Sequence, residues 1–268
     1  MMYFGLIGYP VKHSVSPAMH NAAFEHLGID AIYLAFEVKP NEVKEAVFGA
    51  KALGFKGLNV TIPHKEKVLE FVKPDVLAAR IGAVNTIDLE NMKGYNTDAY
   101  GALRALEVNG VNFEGKNILI VGAGGAARAI AFALIEKSFV IVSNRTEQRG
   151  LKLVEDLRKY GKCLFIPYDE LEKLEGKVDI VINATPLGMK GFESKLPLPQ
   201  NLIRDVVVFD TVYNPMETEL IKLAKKRGCK VVYGIDMLVY QGAKAFEIWT
   251  GRKAPIEIMK EAAIQNLL

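Results

Sequence analysis

The chain is poor in several things. Only two cysteines, Cys163 and Cys229, stand among its 268 residues, too few for a disulfide framework and without the spacing of metal ligands. Both lie in apolar, strand-like runs and read as buried thiols of a reducing compartment. No 18 apolar residues run together, so no segment reads as a membrane-spanning helix. The first residues form a strand pattern at once, with no basic stretch leading into an apolar one, so they do not read as a secretory signal. An excess of one charge is missing too: 34 Lys and Arg stand against 31 Asp and Glu, a net +3, and no basic cluster is long enough to follow a nucleic-acid backbone. These absences exclude a disulfide-stapled secreted protein, a membrane protein and a nucleic-acid binder. They leave a soluble, cytoplasmic protein, monomer or homodimer, with small molecules as its partners.

What is present is apolar residues in short alternating patterns. Half the chain is hydrophobic, enough for two cores, and the length fits two domains. Strand patterns are expected at 3–8, 32–38, 57–61, 83–89, 93–95, 117–121, 139–143, 162–166, 178–183, 206–210 and 230–233. Between them helices are expected at 17–27, 41–53, just after Pro63, and from Asp98 to about 109, with two more at 236–249 and 255–267 closing the chain. Such alternation is the signature of an α/β fold with mostly parallel sheets.

The strand 117–121 runs into Gly122-Ala123-Gly124-Gly125-Ala126-Ala127, a G-x-G-x-x-A turn opening a helix. Gly122 permits the tight turn, Gly124 lets the backbone approach a pyrophosphate, and Ala127 is small enough for the helix to pack on the strand. The first N–H groups of that helix, expected at residues 126–128, then face the anion. About twenty residues on, the next strand ends in Asn144-Arg145-Thr146 with Arg149 beyond. An NAD-binding fold carries an acid there for the ribose 2′-hydroxyl; arginines instead suit a 2′-phosphate. The cofactor read from the residues is NADP.

The first half places polar groups at strand ends, where open α/β sheets bind ligands. Ser14 and Ser16 precede Pro17; their hydroxyls could hold a carboxylate, or Ser16 could simply cap the helix. In Asn59-Val60-Thr61-Ile62-Pro63-His64-Lys65, Asn59 and Thr61 share one face of the strand, and Lys65 falls just past its end, where it could equally be a surface lysine. Asn85 is an unusual residue for a strand, and Asp98 has an alternative use as a helix N-cap.

Together these segments resemble the shikimate dehydrogenase family. The resemblance rests on Ser14-x-Ser16-Pro17, Asn59-Val60-Thr61-x-Pro63-His64-Lys65, Gly82-Ala83-Val84-Asn85-Thr86, Gly94-x-Asn96-Thr97-Asp98 and the glycine turn. It continues through Asn144-Arg145-Thr146, Asn183-Ala184-Thr185-Pro186-Leu187-Gly188-Met189, Asp210-x-x-Tyr213 and Gly234-x-x-Met237-Leu238-x-x-Gln241. It spans essentially the whole chain; Thr211-Val212 depart from the bulkier pair some relatives carry before Tyr213. The resemblance implies NADPH-dependent, reversible reduction of 3-dehydroshikimate to shikimate. It implies a substrate domain at 1–100, joined by the C-terminal helices 237–268, and a Rossmann-like NADP domain at 101–236. Carried over by residue, Lys65 is the acid/base and Asp98 its partner; Ser14, Ser16 and Tyr213 bind the substrate carboxylate. Thr61, Lys65, Asn85, Asp98 and Gln241 hold the ring hydroxyls and the reacting oxygen. Gly122, Ala123, Gly124, Gly125 and Ala126 take the pyrophosphate, and Asn144, Arg145, Thr146 and Arg149 the 2′-phosphate side, with Thr185, Thr211 and Gly234 along the nicotinamide arm. Two rival readings are a quinate/shikimate dehydrogenase using NAD or NADP and a non-catalytic NADPH-sensing regulator.

Overall fold

A computed structural model describes residues 1–193 and 195–267; Leu268, the last residue of the expected C-terminal segment, lies outside the described residues. The chain divides into two compact units, one of Met1–Gly101 with Val239–Leu268, the other of Ala102–Leu238.

The first unit carries β1 (Met2–Gly8), α1 (Ser16–His26), β2 (Ala31–Glu37), α2 (Val43–Ala52), β3 (Gly57–Val60), β4 (Lys73–Pro74), α3 (Val76–Ile81), β5 (Thr86–Asp88) and β6 (Lys93–Tyr95). Its sheet runs in the order β2-β1-β3-β5-β6-β4, with β1, β2 and β3 parallel and β5 antiparallel to both β3 and β6. Every residue of β3 is buried, as a strand between two covered faces requires, and Leu58 and Val60 pack with Ile7, Val47 and Ile87. The helix α4 (Asp98–Val108) leads into the second unit, and α8 (Gly234–Thr250) and α9 (Ile256–Gln265) close the chain. On α8, Trp249 donates its indole N–H to the Ile87 carbonyl at 3.0 Å and lies where a Cβ on Gly57 would sit, so the helix rests directly on the first sheet.

The second unit holds β7 (Asn117–Val121), α5 (Gly125–Leu134), β8 (Phe139–Ser143), α6 (Glu147–Leu157), β9 (Cys163–Phe165), β10 (Ile180–Asn183), β11 (Val207–Asp210), α7 (Glu219–Lys226) and β12 (Lys230–Tyr233). All its strand pairs are parallel and their order is β9-β8-β7-β10-β11-β12. Numbered within the unit this is 3-2-1-4-5-6, the order of a dinucleotide-binding sheet, whose switch point lies between its first and fourth strands. The glycine turn follows β7 and therefore opens at that switch point.

Several expected elements are corrected. Helix α1 begins one residue early, with Val15 at its N-cap and no side-chain cap; Ser14, not Ser16, supplies the oxygen, accepting the Ser16 N–H at 3.2 Å. Where a helix was expected just after Pro63, the described residues form the single 3₁₀ turn Lys67–Glu70. The strand expected at 83–89 pairs only over Thr86–Asp88, because the Val84 N–H goes to the Lys65 carbonyl instead of to a ladder. Short β4 and α3, too brief to show a period, were not anticipated. Both cysteines are half-buried, and Cys229 precedes β12 rather than lying in it.

Candidate active site

In the first unit the ammonium of Lys65 lies 2.5 Å from Oδ2 of Asp98, with side chains 15% and 6% exposed. This is no surface lysine. Asp98 opens α4, yet the N–H groups of Asp98 and Ala99 donate to Oδ1 of Asn96, at 3.1 and 3.4 Å. Asn96 therefore takes the capping task, and the Asp98 carboxylate is left for its side-chain partners. Its second oxygen accepts the Nδ2 amide of Asn85 at 2.8 Å.

Asn85 is buried and fixed on both ends. Its Oδ1 accepts the Thr97 backbone N–H at 2.8 Å, and its Nδ2 reaches Oε1 of Gln241 at 3.3 Å, which brings α8 to the same cluster. Ser14 donates to the Ser16 hydroxyl at 3.2 Å, so the two hydroxyls lie together beside the start of α1. Thr61 follows β3 and donates its N–H to the Ile7 carbonyl at 2.9 Å. Lys65, Asp98, Asn85 and Gln241 are thus brought into one hydrogen-bonded cluster. Tyr213 belongs to the second unit, half-buried on the loop after β11.

In the second unit Gly122 has φ 122°, and a Cβ there would lie 2.7 Å from the Ala184 carbonyl oxygen. Ala123 is buried beside it, and Gly124, the N-cap of α5, has nothing within 4 Å of a would-be Cβ. The space above the turn is open, as a pyrophosphate would need. Arg128 donates its N–H to the Gly124 carbonyl at 2.9 Å, so the donors that a helix start leaves over are those of Gly125, Ala126 and Ala127, one residue earlier than expected. Past β8, Asn144 donates to the Thr146 carbonyl at 2.8 Å, while Arg145, Thr146 and Arg149 are exposed. Neither arginine has an ion-pair partner among the described residues. Glycine turn, helix start and two uncommitted cations fit a dinucleotide carrying an extra phosphate.

Two buried residues end the next two strands at the same edge of the sheet, Asn183 in register with Val121 and Asp210 with Asn183. Asn183 accepts both the N–H and the hydroxyl of Thr185, at 3.1 and 2.7 Å. Asp210 accepts from the Val212 N–H at 3.1 Å and from the Thr218 hydroxyl at 2.6 Å. Gly234 abuts the Thr211 carbonyl so closely that a Cβ would collide with it. Sequence reasoning passed over Asn183 and Asp210 as site residues; the available signal was a polar residue ending each of two apolar strands. It also passed over Thr86 and Thr97, which look like ordinary strand-end threonines.

A relative from Archaeoglobus fulgidus named shikimate dehydrogenase (NADP(+)) is 62% identical, over 100% of this chain and 99% of its own length. The chain belongs to the shikimate dehydrogenase family. Residues 6–87 match the shikimate dehydrogenase substrate binding domain, 104–189 the shikimate/quinate 5-dehydrogenase domain, and 234–264 the shikimate 5′-dehydrogenase C-terminal domain. A crystal structure of a shikimate dehydrogenase in complex with NADP+ is similar with TM-score 0.94 and 45% identity, covering 100% of this chain and 96% of that one. The shikimate 5-dehydrogenase of Thermus thermophilus, in complex with NADP(H) and shikimate, gives TM-score 0.88 and 37% identity over 99% and 100%.

Proposed function

We propose that this protein is an NADP-dependent shikimate dehydrogenase, interconverting 3-dehydroshikimate and shikimate. The observation that carries this reading is the shielded Lys65–Asp98 pair, an ammonium held at one end by a carboxylate in a site built of amides and hydroxyls. NADPH, when bound, supplies the hydride. As the ketone is reduced, negative charge grows on its oxygen, and the Lys65 ammonium stabilises that charge and gives it a proton. In the opposite direction Lys65 takes the proton from the hydroxyl. Asp98 fixes the direction in which Lys65 points and accepts a hydrogen bond from a ring hydroxyl.

The remaining roles are those that membership of the family implies. Ser14 and Ser16, adjacent hydroxyls, bind the substrate carboxylate together with Tyr213. Thr61, Asn85 and Gln241 hold the ring hydroxyls. The residues 1–100 with the C-terminal helices bind substrate, and the residues 101–236 bind NADP. The glycine turn from Gly122 to Ala126 takes the pyrophosphate, Asn144, Arg145, Thr146 and Arg149 the 2′-phosphate side, and Thr185, Thr211 and Gly234 the nicotinamide arm. No helix among the described residues is long and apolar enough to cross a membrane. The free thiols of Cys163 and Cys229 suit a reducing, cytoplasmic setting.

The test is incubation with shikimate and NADP while NADPH absorbance is followed, with quinate and NAD as parallel arms. Shikimate-dependent NADP reduction well above either arm is expected. No turnover, or equal efficiency with NAD, would refute the reading.

A further inference from the structure

Behind Asp98 runs a chain of hydrogen bonds that ends on Tyr33 in the core, and its direction is fixed by groups that cannot be turned around. The Thr97 backbone N–H can only donate, so the side chain it meets at 2.8 Å must be the Asn85 oxygen, and Asn85 Nδ2 therefore faces Asp98. The Asn85 carbonyl can only accept. It takes Asn59 Nδ2 at 3.1 Å, so Asn59 Oδ1 points the other way, toward the Tyr33 hydroxyl at 2.8 Å, which must donate. Asn59 Nδ2 also donates to Thr86 Oγ1 at 3.0 Å, and Thr86 donates on to Asn85 Oδ1 at 3.1 Å. The links Tyr33, Asn59, Thr86, Asn85 and Asp98 are all buried.

The far end is anchored twice. Tyr33 donates its backbone N–H to Asn21 Oδ1 at 2.8 Å and accepts Asn21 Nδ2 on its carbonyl at 3.0 Å. Its ring stacks on His20, centroids 4.4 Å apart and planes 6° from parallel. Burial pushes the phenol well up, so it stays a donor throughout the neutral range. In so dry an environment a reversed Asn59 amide would set its oxygen against the Asn85 carbonyl, so one arrangement is selected. In it the Tyr33 hydroxyl is the donor that satisfies and holds Asn59 Oδ1. The amides of Asn59 and Asn85 do not release protons at these pH values, so the chain orients groups and does not conduct protons.

We propose that Tyr33 is a positioning residue for the Lys65–Asp98 pair, acting through Asn59 and Asn85. The inference rests on the catalytic reading of that pair. That reading fails separately, if wild-type protein does not reduce NADP with shikimate. Tyr33→Phe keeps the ring and its stack and deletes only the donor. The variant is expected to fold, shown by an unchanged circular dichroism spectrum, and to lose about tenfold in kcat for shikimate oxidation with both KM values within about twofold. His20→Phe, which alters the packing but leaves the hydroxyl, is expected to keep wild-type kcat. In a cycle with Asn59→Ala, the double variant is expected to be no slower than Asn59→Ala alone. A folded Tyr33→Phe with kcat within about twofold of wild type overturns the proposal, as do losses that multiply in the double variant. Should Tyr33→Phe not fold, Asn59→Ala alone carries the test, because it removes the link between the Tyr33 hydroxyl and the Asn85 carbonyl; near-normal kcat there overturns the proposal equally.

Discussion

Asn183 donates its amide to Oδ1 of Asp210 at 2.9 Å, tying together the ends of two neighbouring strands of the second unit. Asp210 is buried and held by neutral donors alone, and burial raises its carboxyl above the ordinary 3.8. Below that pH the folded and unfolded chains are both protonated there; above it the folded chain keeps the proton longer. The contribution of this carboxyl to stability is thus complete at low pH and is lost as pH rises through its folded value. Asp210→Asn has no such dependence. Urea denaturation is expected to show the variant gaining on wild type as pH rises from about 4 toward 7. Parallel stability curves would contradict the assignment.

His20 shows the opposite dependence. It is fully buried, neither ring nitrogen has a hydrogen-bond partner among the described residues, and burial lowers it from 6.5 to about 3. The unfolded chain takes up a proton below 6.5, whereas the folded chain does so only near 3. Stability is therefore lost as pH falls through that window, by up to about 1.4 kcal/mol per pH unit. His20→Phe should flatten this slope in urea titrations between those limits. An unchanged slope would mean that the imidazole is not what titrates.

Gly122 combines a left-handed φ with the approach of the Ala184 carbonyl, so Gly122→Ala is expected to force the turn open. The KM for NADP should rise at least about tenfold while the KM for shikimate holds, measured by varying each in turn. Equal KM values for NADP would remove the turn from cofactor binding.

Arg145 and Arg149 are exposed and without ion-pair partners among the described residues. Each charge-assisted bond to a phosphate contributes about 1.5–3 kcal/mol. Replacing both by Ala should lower the preference for NADPH over NADH, as a ratio of kcat/KM, by at least about a hundredfold. A preference that survives would place the 2′-phosphate elsewhere.

What was legible in the sequence depended on how local its cause is. The glycine turn could be read because its residues are consecutive and their physics is steric. The parallel second sheet followed from apolar runs at regular spacing. Lys65 and Asp98 are 33 positions apart, and spacing could not join them; only the family resemblance named them as partners. Their contact depends on Asn96 taking the cap of α4 and on Val84 bonding to the Lys65 carbonyl, and neither event has a local signature. The same holds for Tyr33, an apparently ordinary residue of a strand. The segment after Pro63 marks the reverse case: its start signal was sound, yet it forms a single 3₁₀ turn with Val68 buried in the core.

The role of Lys65 is the centre of the account, and steady-state kinetics of Lys65→Ala test it most directly. With shikimate and NADP, kcat should fall by a factor of about 10² to 10⁴ while the KM for shikimate changes by less than about threefold. A folded variant that keeps kcat within about tenfold of wild type would contradict it.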